Sequence, residues 1–269
     1  MTRIIALEYH DVVRAGDFSS SGFSDPGADS YKLTTATFDA HLAAVASTGT
    51  RAGLTAGEAL STVADGGNGH AARVLLTFDD GGRSALTEIA PRLEALGWRG
   101  HFFMTTARIG SAGFLAADEL RELHARGHVI GSHSHSHPVR MSACSPDALR
   151  REWGESVALL SEILGGPVRT ASVPGGYFSR MVAETAAQAG VQLLFTSEPT
   201  SRPLRVGSCT VLGRYTLRRD DPGSLAADLV AASNRARVRQ WSIWNAKKVL
   251  KALGGASYLR VRARVFGSS

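Results

Sequence analysis

Short strand-like runs alternate with helical segments along most of this chain, and four of those runs end in polar or turn residues of unusual chemistry. Buried β-rich runs are read near Arg3–Tyr9, Val74–Phe78, His101–Thr105, Val129–Ser132, Val168–Val173, Leu193–Thr196 and Thr210–Leu217. Helical periodicity falls between them, near Thr37–Ser47, Ala56–Ala64, Ser84–Leu96, Ala117–Ala125, Pro146–Leu164 and Ser179–Ala189. A strand followed by a helix, many times over, builds a parallel sheet. With roughly seven strands and no dinucleotide fingerprint, the expected class is α/β, a distorted or incomplete (β/α) barrel. Barrels of this kind carry their chemistry on the loops after the C-terminal ends of the strands. Here IIALEY runs into His10-Asp11, VLLTF into Asp79-Asp80-Gly81-Gly82, VIGS into His133-Ser134-His135-Ser136-His137-Pro138, and TASV into Pro174-Gly175-Gly176-Tyr177. All four are expected to meet at one mouth. The Gly-, Ser- and Asp-rich stretch from Val12 to Tyr31 lacks periodicity and reads as a long loop, a candidate lid.

Composition narrows the class further. The 269 residues are 43% hydrophobic and 20% charged, which suits one large or two small globular domains and excludes collagen-like, coiled-coil and wholly disordered chains. No apolar run approaches a membrane span, and MTRIIALEYHD lacks the features of a secretory signal, so the expected location is the cytoplasm. Two cysteines, Cys144 and Cys209, cannot build a disulfide framework or a thiolate zinc site, so metal binding must use His, Asp and Glu. The net charge is +6, yet the segment from residue 229 onward carries nine cations and no acid, leaving residues 1–228 at −3. The expected organisation is therefore a catalytic domain over 1–228 and a basic, aromatic-containing tail over 229–269. No Walker lysine, GxSxG elbow or CxxC is present, and Gly66-Gly67-Asn68-Gly69 lacks the spacing of a phosphate-binding loop.

Asp79 and Asp80 are adjacent carboxylates after an apolar strand, a costly pairing near a core unless a cation or hydrogen-bond donors compensate it. His133, His135 and His137 fall within five residues, whereas the other six of nine histidines are scattered. Imidazole is the commonest side-chain ligand for divalent transition metals, so the two clusters together read as a metal site.

These residues carry a family resemblance. TFDDGGRSALTEIAPRLEALGWRGHFFMTTARIG, Thr77 to Gly110, followed by LRELHARGHVIGSHSHSHP, Leu120 to Pro138, resembles the NodB-homology polysaccharide deacetylases of carbohydrate esterase family 4. The likeness runs from about Arg3 to Thr216 and implies a NodB-type barrel. It implies that Asp80, His133 and His137 form an Asp-His-His metal triad, usually holding zinc, with Asp79 as catalytic base and His135 a less favoured ligand. Three protein ligands leave room for water and an acyl oxygen, as a catalytic ion requires.

Two departures from the family pattern stand out. Amide hydrolysis needs an acid to protonate the departing amine, commonly a late histidine in this family, yet no histidine follows His137. His10 is the expected replacement, because it ends a strand on the active-site side. EYHDV moreover resembles the YHDV motif of a circularly permuted subgroup, the poly-N-acetylglucosamine deacetylases. Asp11 is expected either to orient His10 or to approach the substrate. Secondly, Ser172 stands where typical members place the arginine that pairs with the base. Gly175 keeps a backbone N–H for the oxyanion, and Arg214, Arg180 or Arg83 could replace the guanidinium, Arg214 ranking first because it lies on a late strand.

The resemblance implies a metal-dependent hydrolase that removes N-acetyl groups from N-acetylhexosamine residues of a polysaccharide, oligosaccharide or glycolipid. An amidase for a non-sugar acyl amide and a non-catalytic carbohydrate-binding descendant remain as alternatives. In the tail, Trp241, Trp244, Tyr258 and Phe266 lie among the nine cations. That pattern suits either peripheral contact with the inner membrane face or a terminal helix packing its aromatic face on the barrel. No nucleic-acid partner is expected, since no recognition motif accompanies the charge.

Overall fold

The computed structural model describes residues 3–64, 72–246 and 248. Its centre is a ten-stranded, mostly parallel, curled sheet. The strands that matter for the site are β1 (Ile4–Tyr9), β2 (Arg73–Phe78), β3 (His101–Met104), β4 (Val129–Ser132), β5 (Thr170–Ser172), β6 (Leu193–Thr196), β7 (Cys209–Gly213) and β8 (Tyr215–Thr216). Each neighbours the next in space from β2 to β6, and β1 pairs with β2 in full register from Ile4↔Arg73 to Tyr9↔Phe78. The run expected as one strand over Thr210–Leu217 is broken at Arg214. Its first part, β7, pairs with β6, and its second, β8, pairs with β1. The two margins of the curled sheet are thus brought together at Arg214. The short Leu204–Val206 strand, not anticipated, adds an antiparallel edge to β7.

Side-chain alternation explains where the charge lies. Outward positions Ile5, Leu7, Tyr9, Val74, Leu76, Phe78, Phe102 and Met104 join the core beneath the surrounding helices. Inward positions Ile4, Ala6, Leu75, Phe103, Leu193, Phe195 and Leu212 form a second apolar cluster inside the sheet. One step further along the same inward rows stand Glu8, Thr77 and Arg214, so the interior passes from apolar at one end to ionic at the mouth. Because both faces are covered, these strands read as nearly continuous apolar runs.

The helices Ala56–Ala64, Ala117–Ala125 and Pro146–Leu164 occupy the expected spans. The segment expected as one helix over Ser84–Leu96 begins instead with a π turn, Ala85–Ile89, before the α-helix Ala90–Ala95. Pro91 has no N–H to give the regular ladder, which accounts for the wider turn before it. The 12–31 stretch contains the two-residue strand Val12–Val13, paired with Leu33–Thr34, and the short helix Pro26–Asp29. The boundary expected after residue 228 falls within the helix Gly223–Val230, and residues 235–246 form another helix. Of the tail's nine cations and four aromatics, Lys247, Lys251, Tyr258, Arg260, Arg262, Arg264 and Phe266 lie outside the residues whose side chains are described. Among the described residues, no helix is long and apolar enough to cross a membrane.

His101 lies inside the sheet against Phe103 and Phe195, its Nε2 bonded to the Leu54 carbonyl at 2.9 Å. Burial pushes its pKa down to about 4 from the ordinary 6.5. The unfolded chain therefore takes up a proton before the folded one does, and stability falls as pH drops below 6.5. Between pH 7 and pH 5 His101 is expected to remove about 2 kcal/mol. Urea unfolding at the two pH values checks this, and His101→Gln should flatten the decline.

Candidate active site

Four loops at the C-terminal ends of the strands supply the site. After β2 the chain turns sharply at Asp80 (φ 75°), and after β4 it does so again at Ser134 (φ 68°) and His137 (φ 59°). Left-handed conformations in non-glycine residues cost energy and persist where the surroundings enforce them. Here Ser134 Oγ accepts the His137 N–H at 3.1 Å. Glu152, on the Pro146–Leu164 helix, accepts the N–H groups of His135 and Ser136 at 2.9 and 2.8 Å. Glu152 escaped the sequence reading because nothing local marks a mid-helix acid as a loop anchor.

That scaffold brings Asp80, His133 and His137 together. The Nε2 atoms of both histidines lie 3.5 Å from Asp80 Oδ1, too far for hydrogen bonds. The spacing fits a divalent cation: ligand bonds of about 2.0–2.1 Å in tetrahedral array put donors roughly 3.4 Å apart. Burial pushes the Asp80 carboxyl pKa up, opposed by His10 and His137 and reinforced by the Asp79 and Asp11 charges. Burial also lowers the His133 pKa to about 3, which keeps its imidazole neutral. His135 is not in this group; its Nδ1 meets Thr106 Oγ1 at 3.0 Å and its Nε2 faces Glu155.

Asp79 stands beside the triad, its Oδ2 3.8 Å from His133 Nε2. Arg214, fully buried, grips it in a two-pronged pair, Nη1 to Oδ1 and Nη2 to Oδ2, both at 2.7 Å. The same guanidinium reaches Glu8 Oε1 at 3.0 Å and Thr77 Oγ1 at 3.2 Å. Burial alone would raise the Asp79 pKa, but the Arg214 and His133 charges hold it well below the ordinary carboxylate range. Glu8 is a site residue the sequence reading passed over, since it sat in a strand buried on both faces where alternation could not be seen. Glu8, His10 and Asp79 also place one donor atom each within 4.8 Å of one another, yet Arg214 already compensates the two carboxylates. Arg180 and Arg83 lie elsewhere, paired with Glu184 and Glu119.

Ser172 joins the two halves of the site. Its Oγ lies 3.0 Å from Asp79 Oδ1 and 2.5 Å from His133 Nδ1. An ionised carboxylate can only accept, so Ser172 donates to Asp79 and accepts the Nδ1–H of His133. This fixes the His133 tautomer with its Nε2 lone pair toward Asp80, the arrangement that supports a metal-ligating histidine.

His10 ends β1 and stacks on Tyr31 with ring centroids 4.8 Å apart; its Nδ1 has no hydrogen-bond partner among the described residues. Asp11 corrects the expectation that it orients His10 or meets the substrate. Its Oδ1 accepts from Ser21 and Ser84 at 2.5 and 2.7 Å, tying the start of the 12–31 loop to the segment after β2. Gly82 permits that approach, since a Cβ there would lie 1.9 Å from Asp11 Oδ1. The loop then sets Phe23 against His137, centroids 5.2 Å apart. Gly175 (φ 61°) lies in the Pro174–Gly176 turn after β5, at the same mouth.

The polysaccharide deacetylase family model matches residues 66–194. This segment, just under half of the chain, is similar to that family. The matched segment contains Asp79, Asp80, His133, His137, Ser172 and Gly175, whereas Glu8, His10 and Arg214 reach the site from outside it. A curated relative bearing the same family name, YxkH of Bacillus subtilis (strain 168), is 27% identical over 126 residues, 47% of this chain and 45% of its own length. The match thus spans less than half of that relative. The deacetylase PplD of Streptococcus pyogenes, solved in complex with acetate, superposes with a TM-score of 0.70 at 19% identity, covering 86% of this chain and 99% of its own. IcaB from Ammonifex degensii gives 0.70 at 22% identity, with 86% and 98% covered. At these identities the two structures establish the curled α/β fold alone.

Proposed function

We propose that the chain is a metal-dependent carbohydrate N-deacetylase, hydrolysing the acetamide of N-acetylhexosamine units in a polysaccharide, oligosaccharide or glycolipid. The observation that carries this reading is a cation-sized gap between Asp80, His133 and His137 with the Arg214-bound carboxylate of Asp79 alongside. A divalent ion, zinc by the family resemblance, would be held by those three residues and would supply Lewis acidity toward water and the acyl oxygen. Asp79, kept ionised by Arg214, takes the proton from the attacking water. Arg214 and Ser172 together fix the direction in which that carboxylate points, which is worth more than proximity alone. The Gly175 N–H is assigned to the developing oxyanion. His10 delivers a proton to the nitrogen of the departing amine, a necessary step because an amine anion is too poor a leaving group.

Acetate release from a panel of N-acetylhexosamine oligomers, with and without chelator, tests the reading. Release that stops on chelation and returns with added divalent metal is expected. Protein carrying one ion per chain that releases no acetate from any sugar, while cleaving other acyl amides or nothing at all, would overturn it.

A further inference from the structure

The helix over residues 235–246 reaches the end of β8 and the turn after β5. Three side chains at helical spacing hold it there. Arg237 is 3% exposed and donates to the carbonyls of Leu229 and Ala231 at 2.6 and 2.8 Å. Gln240 donates to the Thr216 carbonyl at the end of β8, at 3.0 Å. Trp244 completes the row with the edge of its indole on Gly176, where a Cβ would lie 3.2 Å from Cη2. That same Cβ would lie 2.7 Å from Ser197 Cβ, and Ser197 in turn donates to Glu8 Oε1, the partner of Arg214. Gly176, with φ 68°, therefore leaves room for both the indole and the Ser197 side chain beside the Pro174–Gly176 turn.

Trp244 is half-buried, whereas Trp241 and Ile243 on the same helix are 50% and 42% exposed. The indole is thus anchored along one edge at the rim of the site. Phe23 lies against His137 and Tyr31 against His10. Aromatic rings beside a polar centre suit a ligand that alternates polar edges with apolar faces. A pyranose ring does so, because its axial C–H bonds present a weakly positive face to the negative face of an aromatic ring.

We propose that Trp244 is a stacking platform for a pyranose unit of the substrate bound beside the Gly175–Gly176 turn, which makes the 235–246 helix part of the sugar-binding site. The inference rests on the deacetylase reading and deepens it. It also gives one tail aromatic a task at the site.

The test is calorimetric binding of a tetramer of N-acetylglucosamine to the full metal-loaded chain, with acetate release from the same tetramer measured in parallel. Trp244→Ala and Trp244→Leu are both compared with wild type, the leucine retaining apolar packing on Gly176 should alanine loosen the helix. The expected result is a loss of roughly tenfold in affinity in both variants, matched by a rise in KM with kcat and metal content unchanged. Trp244→Phe should recover part of the loss, and Trp241→Ala should bind as wild type does. Wild-type-like affinity and KM in Trp244→Leu, or an equal loss in Trp241→Ala, overturns the platform and leaves the deacetylase reading intact. Absence of acetate release and of sugar binding in the wild-type chain overturns both.

Discussion

Asp79→Asn is expected to lower acetate release by about a thousandfold while leaving one metal ion per chain. The size follows from general-base catalysis, which contributes roughly 10²–10⁴ when a positioned carboxylate is lost. Asparagine keeps the volume of the side chain and can still accept from Ser172 and Arg214 through its amide oxygen, so His133 retains its tautomer. It cannot take a proton from water. The three residues proposed to hold the cation are untouched, because Asp79 stands beside them and is not one of them. Elemental analysis alongside steady-state kinetics separates the two roles. Stoichiometric metal with turnover within tenfold of wild type would remove Asp79 from the base position, and loss of metal would make it a ligand.

Arg214→Met should produce the largest loss of stability of any single substitution at the site, roughly 3–5 kcal/mol. The guanidinium is fully buried and faces the Asp79 and Glu8 carboxylates, which are 4% and 3% exposed. Removing it strands two neighbouring anions away from water, and breaking a buried pair costs far more than the intact pair is worth. The pH sign follows from the depressed Asp79 pKa. The stabilisation it reports is present above the ordinary carboxylate value of 3.8 and is lost only as pH falls through the lower folded-state value, so the variant lacks it at pH 7. Arg214→Lys should be intermediate, since one ammonium cannot reproduce the two-pronged grip. Urea midpoints decide the matter; an Arg214→Met chain as stable as wild type would mean that the two carboxylates find other compensation.

The legible parts of this molecule were those written in consecutive residues. The strand-to-loop junctions at Asp79-Asp80 and His133–His137 announced themselves because charged and imidazole groups follow apolar runs without a break. The break at Arg214 was invisible, because it depends on which of two distant strands each half of 209–216 pairs with. The loss of arginine at position 172 reads differently in three dimensions. Ser172 spans from Asp79 to His133, a distance relation between β5, β2 and β4 that no local pattern encodes. Glu8 was hidden by the burial of both faces of β1, and Glu152 by the ordinariness of an acid in a long helix. Trp244 was visible as a tail aromatic, but its place beside Gly176 depends on a helix meeting the turn after β5, which no local pattern encodes.

Arg214 sits at the junction where one half of the 209–216 segment leaves β6 and the other half joins β1. The side chain at that junction is also the one that sets the ionisation of Asp79. An immature chain whose barrel rim still gapes has its carboxylate and its guanidinium on unjoined pieces, and so has no poised base. On the proposed mechanism, hydrolytic competence would arrive only with topological completion, and the onset of turnover during refolding would time the last stitch of the barrel.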